Sequence, residues 1–270
     1  MAARRFREAI AARSGIGPRW LLVMMLAVLA TSPVHGAVEV GAVVFAKGAV
    51  SARDEAGAVR LLARESPVHQ GDTVATADES FAVLRFSDDT KMSIRPSSEV
   101  VIDRYSESQG EEAAEFSLIK GGLRAITGAI GSQRPESVRF NTRAASIGIR
   151  GTDLALRLCE ADECRLEELS LVNLEPVRTE CLVPVVDEPP GLFFIVLDGG
   201  IYSERGDQRV ELDAIGAGYA NEQELTCMSV VPRFVLHDEY LNRIELNLDE
   251  FELFDVLGIG PDDYPACEVL

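Results

Sequence analysis

Between Val38 and Tyr105 the chain alternates apolar and polar residues with a period of two, in short runs cut by turn chemistry. Val83-Leu84-Arg85-Phe86 and Met92-Ser93-Ile94-Arg95 are two such runs, and Ser87-Asp88-Asp89-Thr90 lies between them. Ser and Asp side chains hydrogen-bond their own backbone in tight turns, so the tetrad reads as the link between two strands. Val100 to Tyr105 is a third strand, set off by Pro96-Ser97-Ser98. No amphipathic helix of ordinary length competes between residues 38 and 158. Short strands at close spacing predict an all-β fold. Its form is a short-stranded β roll with solenoid-like winding, or alternatively a two-sheet β sandwich.

One pattern occurs three times, at Val44–Ser51, Phe116–Leu123 and Ile195–Ser203. Each is an apolar strand, a charged residue, glycine, then a second apolar strand. Glycine at such a point either adopts positive φ or lets two backbones approach closely. The unequal spacing is not that of a regular repeat array. The three segments read as related hairpin units of one roll.

The first 36 residues carry the marks of an export signal. Arg4, Arg5, Arg7, Arg13 and Arg19 precede an uncharged run from Trp20 to Ala30, and Pro33 breaks it. Val34 and Gly36 place small residues where a signal peptidase reads, so cleavage after Gly36 is expected. A spanning helix needs roughly 20 apolar residues, which this run does not supply. The mature chain is therefore expected in the periplasm or secreted, without a stable membrane span.

Without residues 1–36 the net charge is −22. Such a chain repels nucleic acid and anionic lipid at long range and is not expected to bind either. The cysteines are Cys159, Cys164, Cys181, Cys227 and Cys267. In an exported protein they read as disulfides rather than metal ligands. Cys159 with Cys164 and Cys181 with Cys227 are the candidate pairs, and Cys267 the candidate free thiol. Neither a metal centre nor a cofactor is expected, since one C-x4-C does not make a zinc site.

Several short motifs, in order, resemble the FecR domain of bacterial envelope proteins. Gly71-Asp72-Thr73-Val74-Ala75-Thr76 is followed by the strand Phe81–Phe86, the turn Asp88-Asp89-Thr90 and the strand ending at Tyr105. Gly121 to Gly128, with Gly122 between, matches the family's second block, and Ile149-Arg150-Gly151-Thr152 its Ile-Arg-Gly-Thr. The turn carries Asp89 where the family has glycine. The resemblance covers about residues 38–158 and 193–222, and it implies a non-catalytic β module outside the cytoplasm. Iron-signalling members place a cytoplasmic sigma-regulating segment before a membrane span. Nineteen residues precede Trp20 here, so that activity is not expected.

The organisation that follows is a signal at 1–36 and a FecR-like β domain at 37–158. An acidic insertion with Cys and Pro occupies 159–192, returning hairpins 193–234, and an acidic amphipathic tail 235–270. Tyr240, Leu241, Ile244, Leu248 and Phe251 have helical spacing, while Ile244–Leu248 also alternates, and both readings stay open.

No nucleophile motif, metalloprotease helix or phosphate loop occurs, so no enzyme activity is expected. Gly128–Ser132 reads as a hairpin connection. Arg150 reads as a buried clamp whose planar fork ties down a carboxylate or loop carbonyls, with Gly151 permitting a tight exit. Residues 120–157 carry a net +5. Arg124, Arg134, Arg139, Asn141 and Arg143 form the candidate interaction face, with Arg139 and Arg143 on one side of a strand around Asn141. The acidic tail, net −9 over 238–268, is available to dock on the body or to engage another protein. The function expected is envelope sensing, scaffolding or protein interaction with an envelope protein. The alternative is a periplasmic glycan or small-anion binder using Arg139 and Arg143.

Overall fold

The computed structural model describes residues 38–160, 190–228 and 238–245. Residues 1–36, with the expected export signal, lie outside the described residues. The expected helical turn or strand beyond residue 245, and most of the insertion at 159–192, also lie outside them.

The strands pair into two sheets. In the first the order is β4 (Pro67–His69), β1 (Glu39–Lys47), β6 (Phe81–Phe86), β7 (Lys91–Ile94), β9 (Ala113–Ile126), β12 (Asp153–Cys159), β13 (Gly191–Asp198), β16 (Ala217–Ala220) and β17 (Leu225–Met228). In the second it is β3 (Val59–Leu61), β2 (Val50–Arg53), β5 (Thr73–Thr76), β8 (Glu99–Ser106), β9 again, β10 (Val138–Asn141), β11 (Ser146–Ile149), β14 (Gly200–Arg205) and β15 (Gln208–Asp213). All of these pairings are antiparallel except that of β9 with β10. Because β9 belongs to both sheets, the strands form one continuous, open, mixed sheet of 17. The all-β expectation holds. The chain passes from layer to layer as in a roll.

Alternation within each strand decides what is buried. In β7, Met92 and Ile94 face the core and Ser93 points the other way; in β9, Leu123 and Ala125 flank Arg124 in the same manner. Side chains from both sheets meet in one core, where Phe86 stacks on Tyr105 at 5.1 Å and Phe116 on Phe140 at 5.3 Å. Each fully buried Phe or Leu contributes about 1.5–3 kcal/mol relative to exposure. The outer face of the first sheet is also apolar in part. Ala155, Phe193, Ile195, Tyr219 and Met228 form a second cluster there with Leu241.

A residue with positive φ stands at nearly every passage between the sheets: Gly48, Glu65, Gly71, Glu79, Ser97, Gly121, Gly151, Gly199 and Ile215. The remaining passage, β9 to β10, runs through the short helix α1 (Ala129–Gln133) and a 3-10 turn at Pro135–Ser137. Gly128–Ser132 is therefore not a hairpin connection but the start of that helical passage. The three echoed segments are corners between sheets, with φ of 75° at Gly48 and 78° at Gly121 and Gly199. They are not hairpins within one sheet, because the strands they join never pair with each other. At Gly121 the corner lies inside β9 and hands the strand from one sheet to the other.

Among the described residues no helix is long and apolar enough to cross a membrane.

Gly121 combines positive φ with a tight neighbour, since an added Cβ would sit 2.7 Å from the Ser98 Cα. Gly57, in the β2–β3 hairpin, has φ of 85° and nothing within 4 Å of that position. Gly121→Ala should therefore destabilise by the backbone strain of roughly 1–3 kcal/mol plus a steric term. Gly57→Ala should cost the strain alone. Urea denaturation of both variants checks the order, and equal losses would contradict it.

Candidate functional site

The motif residues serve the corners. Asp72, at the start of the second sheet's β5, is buried and accepts the His69 amide at 2.7 Å and Arg60 Nη1 at 2.9 Å. Burial opposes its ionisation, and the hydrogen bonds from Arg60 and from the His69 amide outweigh that, holding the carboxyl below its usual range. Asp88 is likewise buried, and its carboxylate accepts the amides of Thr90 at 2.8 Å and Ile130 at 3.0 Å together with the Tyr105 hydroxyl. That pins the start of α1 to the β6–β7 turn. Asp89 takes φ of 65° there, the left-handed conformation that glycine adopts more easily. Gly128 lets α1 approach the same turn, since a Cβ would meet the Thr90 nitrogen at 2.5 Å.

Arg150-Gly151-Thr152 forms the β11–β12 corner. Thr152 is buried, its hydroxyl donating to the Gly200 carbonyl at 2.5 Å and its amide donating to Thr127 Oγ1 at 2.9 Å. Gly151 has φ of 63°. Arg150 departs from expectation: its side chain is 47% exposed and pairs with Asp213 at 3.1 Å and Glu211 at 3.7 Å. It lies at the rim because the corner turns its side chain outward, and Thr152 takes the buried clamping role.

The candidate interaction face does not assemble as one surface. β10 ends at Asn141, so Arg143 falls in the turn beyond it, where it pairs with Glu160 at 3.4 Å. It borders an open cavity of about 450 Å³ with Glu160, Asn221 and Gln223. Arg139 faces Glu204 at 3.5 Å and donates to Ser146 Oγ at 3.3 Å, while that hydroxyl donates to Asn141 Oδ1 at 2.7 Å. Arg134 pairs with Glu112 at 3.4 Å. Arg124 is buried on the outer face of the first sheet, away from β10. The cysteine pairs Cys159–Cys164 and Cys181–Cys227 each have a member outside the described residues, as does Cys267.

What the structure does bring together is a row of arginines on that outer face. Ser93 and Arg124 are cross-strand partners, as are Arg124 and Ala155, and Arg157 lies opposite Gly122. An added Cβ at Gly122 would sit 2.8 Å from Arg95 Cδ and 3.2 Å from Arg157 Cδ. Both stems therefore lie over bare backbone. The missing side chain is what makes room for two arginines.

The segment 238–245 docks on this row. Asp238 accepts Arg95 Nε at 2.9 Å through one oxygen, and the amides of Tyr240 and Leu241 at 2.9 and 3.1 Å through the other. It thus caps the 3-10 turn Leu241–Glu245. Ser93 Oγ donates to the Tyr240 carbonyl at 2.7 Å, and Tyr240 packs on Phe81 with ring centres 5.6 Å apart. Leu241 and Ile244 are fully buried. Arg124 binds Asp153 in a fork, at 2.9 and 2.7 Å, and also reaches Asn242 Oδ1 at 3.1 Å. The acidic tail thus begins by docking on the body, on Arg95 and Arg124 rather than on Arg139 and Arg143. Arg95 and Arg157 were not among the candidates read from sequence. The signal was present in Ile94-Arg95, Leu123-Arg124-Ala125 and Leu156-Arg157-Leu158, where an arginine stands on the face opposite core residues.

Two outcomes follow. The Asp72 carboxyl titrates lower in the folded state, so its stabilisation is complete above about pH 4, its unfolded value. That contribution is lost as pH falls through the folded value. Acid unfolding of Asp72→Asn should start from lower stability and show a shallower loss below about pH 4 than the parent. Asp238→Ala removes both the ion pair and the cap, and should lower stability by roughly 1–3 kcal/mol. A double-mutant cycle with Arg95→Ala should recover a coupling of at least about 0.5 kcal/mol, and zero coupling would show the contact to be incidental.

Residues 72–167 match the family described as FecR protein. Two crystal structures of a protein assigned provisionally as an anti-sigma factor from Parabacteroides distasonis are similar to this chain. One shares 12% identity at a TM-score of 0.38, the other 10% at 0.40. Each match covers 60% of this chain and 61% of that one, so the chain spans under two thirds of the structures it matches. No curated protein matches. The FecR match at residues 72–167 runs through the motif residues from Asp72 to Thr152 that stand at corners of this β body.

Proposed function

We propose that the protein is an exported, non-enzymatic FecR-type module that works through a protein partner in the envelope, as a sensing, scaffolding or interaction domain. The observation that carries this reading is the FecR match over residues 72–167. The export signature of residues 1–36 supports the compartment. So does the state of Cys159 and Cys227, neither of which is a free thiol. The glycan or small-anion reading gains no support from its own residues, because Arg139 and Arg143 already face Glu204 and Glu160.

Mass spectrometry of protein recovered from cells should find an N-terminus at Ala37 or Val38 in the soluble envelope fraction. An intact Met1 terminus in the membrane fraction would refute export. Non-reducing peptide maps of the same material should link Cys159 to Cys164, and five free thiols would refute the oxidising compartment. Chemical cross-linking in intact cells should join the chain to another envelope protein. Retention on glycan arrays with no cross-linked partner would reverse the choice between the two readings.

A further inference from the structure

Arg157 is the one member of the arginine row without a described partner. It lies on β12 between Gly122 on one neighbouring strand and Phe193 on the other, and only 9% of it is exposed. Its Nη1 is buried with no hydrogen-bond acceptor among the described residues. Arg95 has Asp238 and Arg124 has Asp153, both charge-assisted contacts at 2.7–2.9 Å. Among the described residues, Arg95 and Arg124 therefore each have a carboxylate and Arg157 has none. A buried, unpaired charge is expensive, and a chain normally supplies the counter-ion or the site receives one. Arginine's planar fork suits a carboxylate, as its two neighbours show.

We infer that Arg157 is a binding position for a carboxylate delivered from outside the described fold, beside the place where Asp238 already fills Arg95. The apolar surroundings, Phe193 and the Leu241 cluster, fit a carboxylate carried on a partly apolar chain segment better than a free ion. Assigning that segment to a partner protein rests on the proposed function. The site itself does not.

The test is thermal unfolding of the full chain at pH 7 and constant ionic strength, with chloride exchanged for acetate. Acetate should raise the Tm of the parent saturably, by about 2–4 °C. Arg157→Met should abolish the rise, Arg157→Lys should retain a weaker one, and the surface variant Arg139→Ser should keep it whole. Without acetate, Arg157→Met should melt no lower than the parent, whereas Arg124→Met, which strands Asp153, should melt lower. No acetate response, an equal response in Arg157→Met, or a larger loss of Tm in Arg157→Met than in Arg124→Met would each overturn the site. A capped peptide of residues 238–241 separates the sources. Arg157-dependent binding at least about tenfold tighter than acetate supports a partner segment. Binding no tighter than acetate overturns the partner assignment and leaves the carboxylate site standing.

Discussion

Residues 113–120 of β9 pair with β8 in the second sheet, and residues 121–126 pair with β7 and β12 in the first. The two layers are therefore held in one register by a single strand, and that strand can bend between them only where Gly121 takes positive φ. The remaining strands join on either side of this shared one. Their hairpins fall alternately into one layer or the other, and every passage except the helical one from β9 to β10 has a left-handed corner. Where the chain puts a side chain at such a corner, as at Glu65, Glu79, Ser97 and Ile215, it bears strain that the surrounding sheet pairing must outweigh.

The family motifs become intelligible as corner chemistry. Asp72 ties Arg60 on the second sheet's edge strand to the amide of His69 on the first sheet's edge strand. Asp88 joins the β6–β7 turn to α1 and to Tyr105. Thr152 locks its corner to the one at Gly199 and Gly200. Buried carboxylates and hydroxyls that accept or donate two or three hydrogen bonds at once make these junctions specific. The chemistry of these residues is thus structural.

The outer face of the first sheet has a different character, since a mainly acidic protein places three arginines among apolar side chains there. The segment 238–245 covers part of it with one carboxylate, one amide oxygen and two buried aliphatic residues. The arrangement shows which chemistry the face accepts: an acidic group followed by an apolar turn. Arg157 leaves the same chemistry incomplete.

The strand pattern, the turn at Ser87–Thr90, the corner glycines and the FecR motifs were legible in the sequence, because period-two alternation and glycine placement are local properties. Leu123-Arg124-Ala125 also states locally that Arg124 points away from the core. What it does not state is that the far face is covered. That depends on Asp238 and Asn242, more than a hundred residues away, returning to the sheet. For the same reason Arg139 and Arg143, two apart on either side of Asn141, look like one strand face until the pairing of β10 with β11 ends the strand at Asn141. Arg150 looked buried from its motif, and only the direction of the corner put it at the rim. Local sequence decides which residues alternate and where the chain can turn. Only the tertiary fold decides which side of a sheet is later covered, and so which arginines acquire a carboxylate and which one is left without.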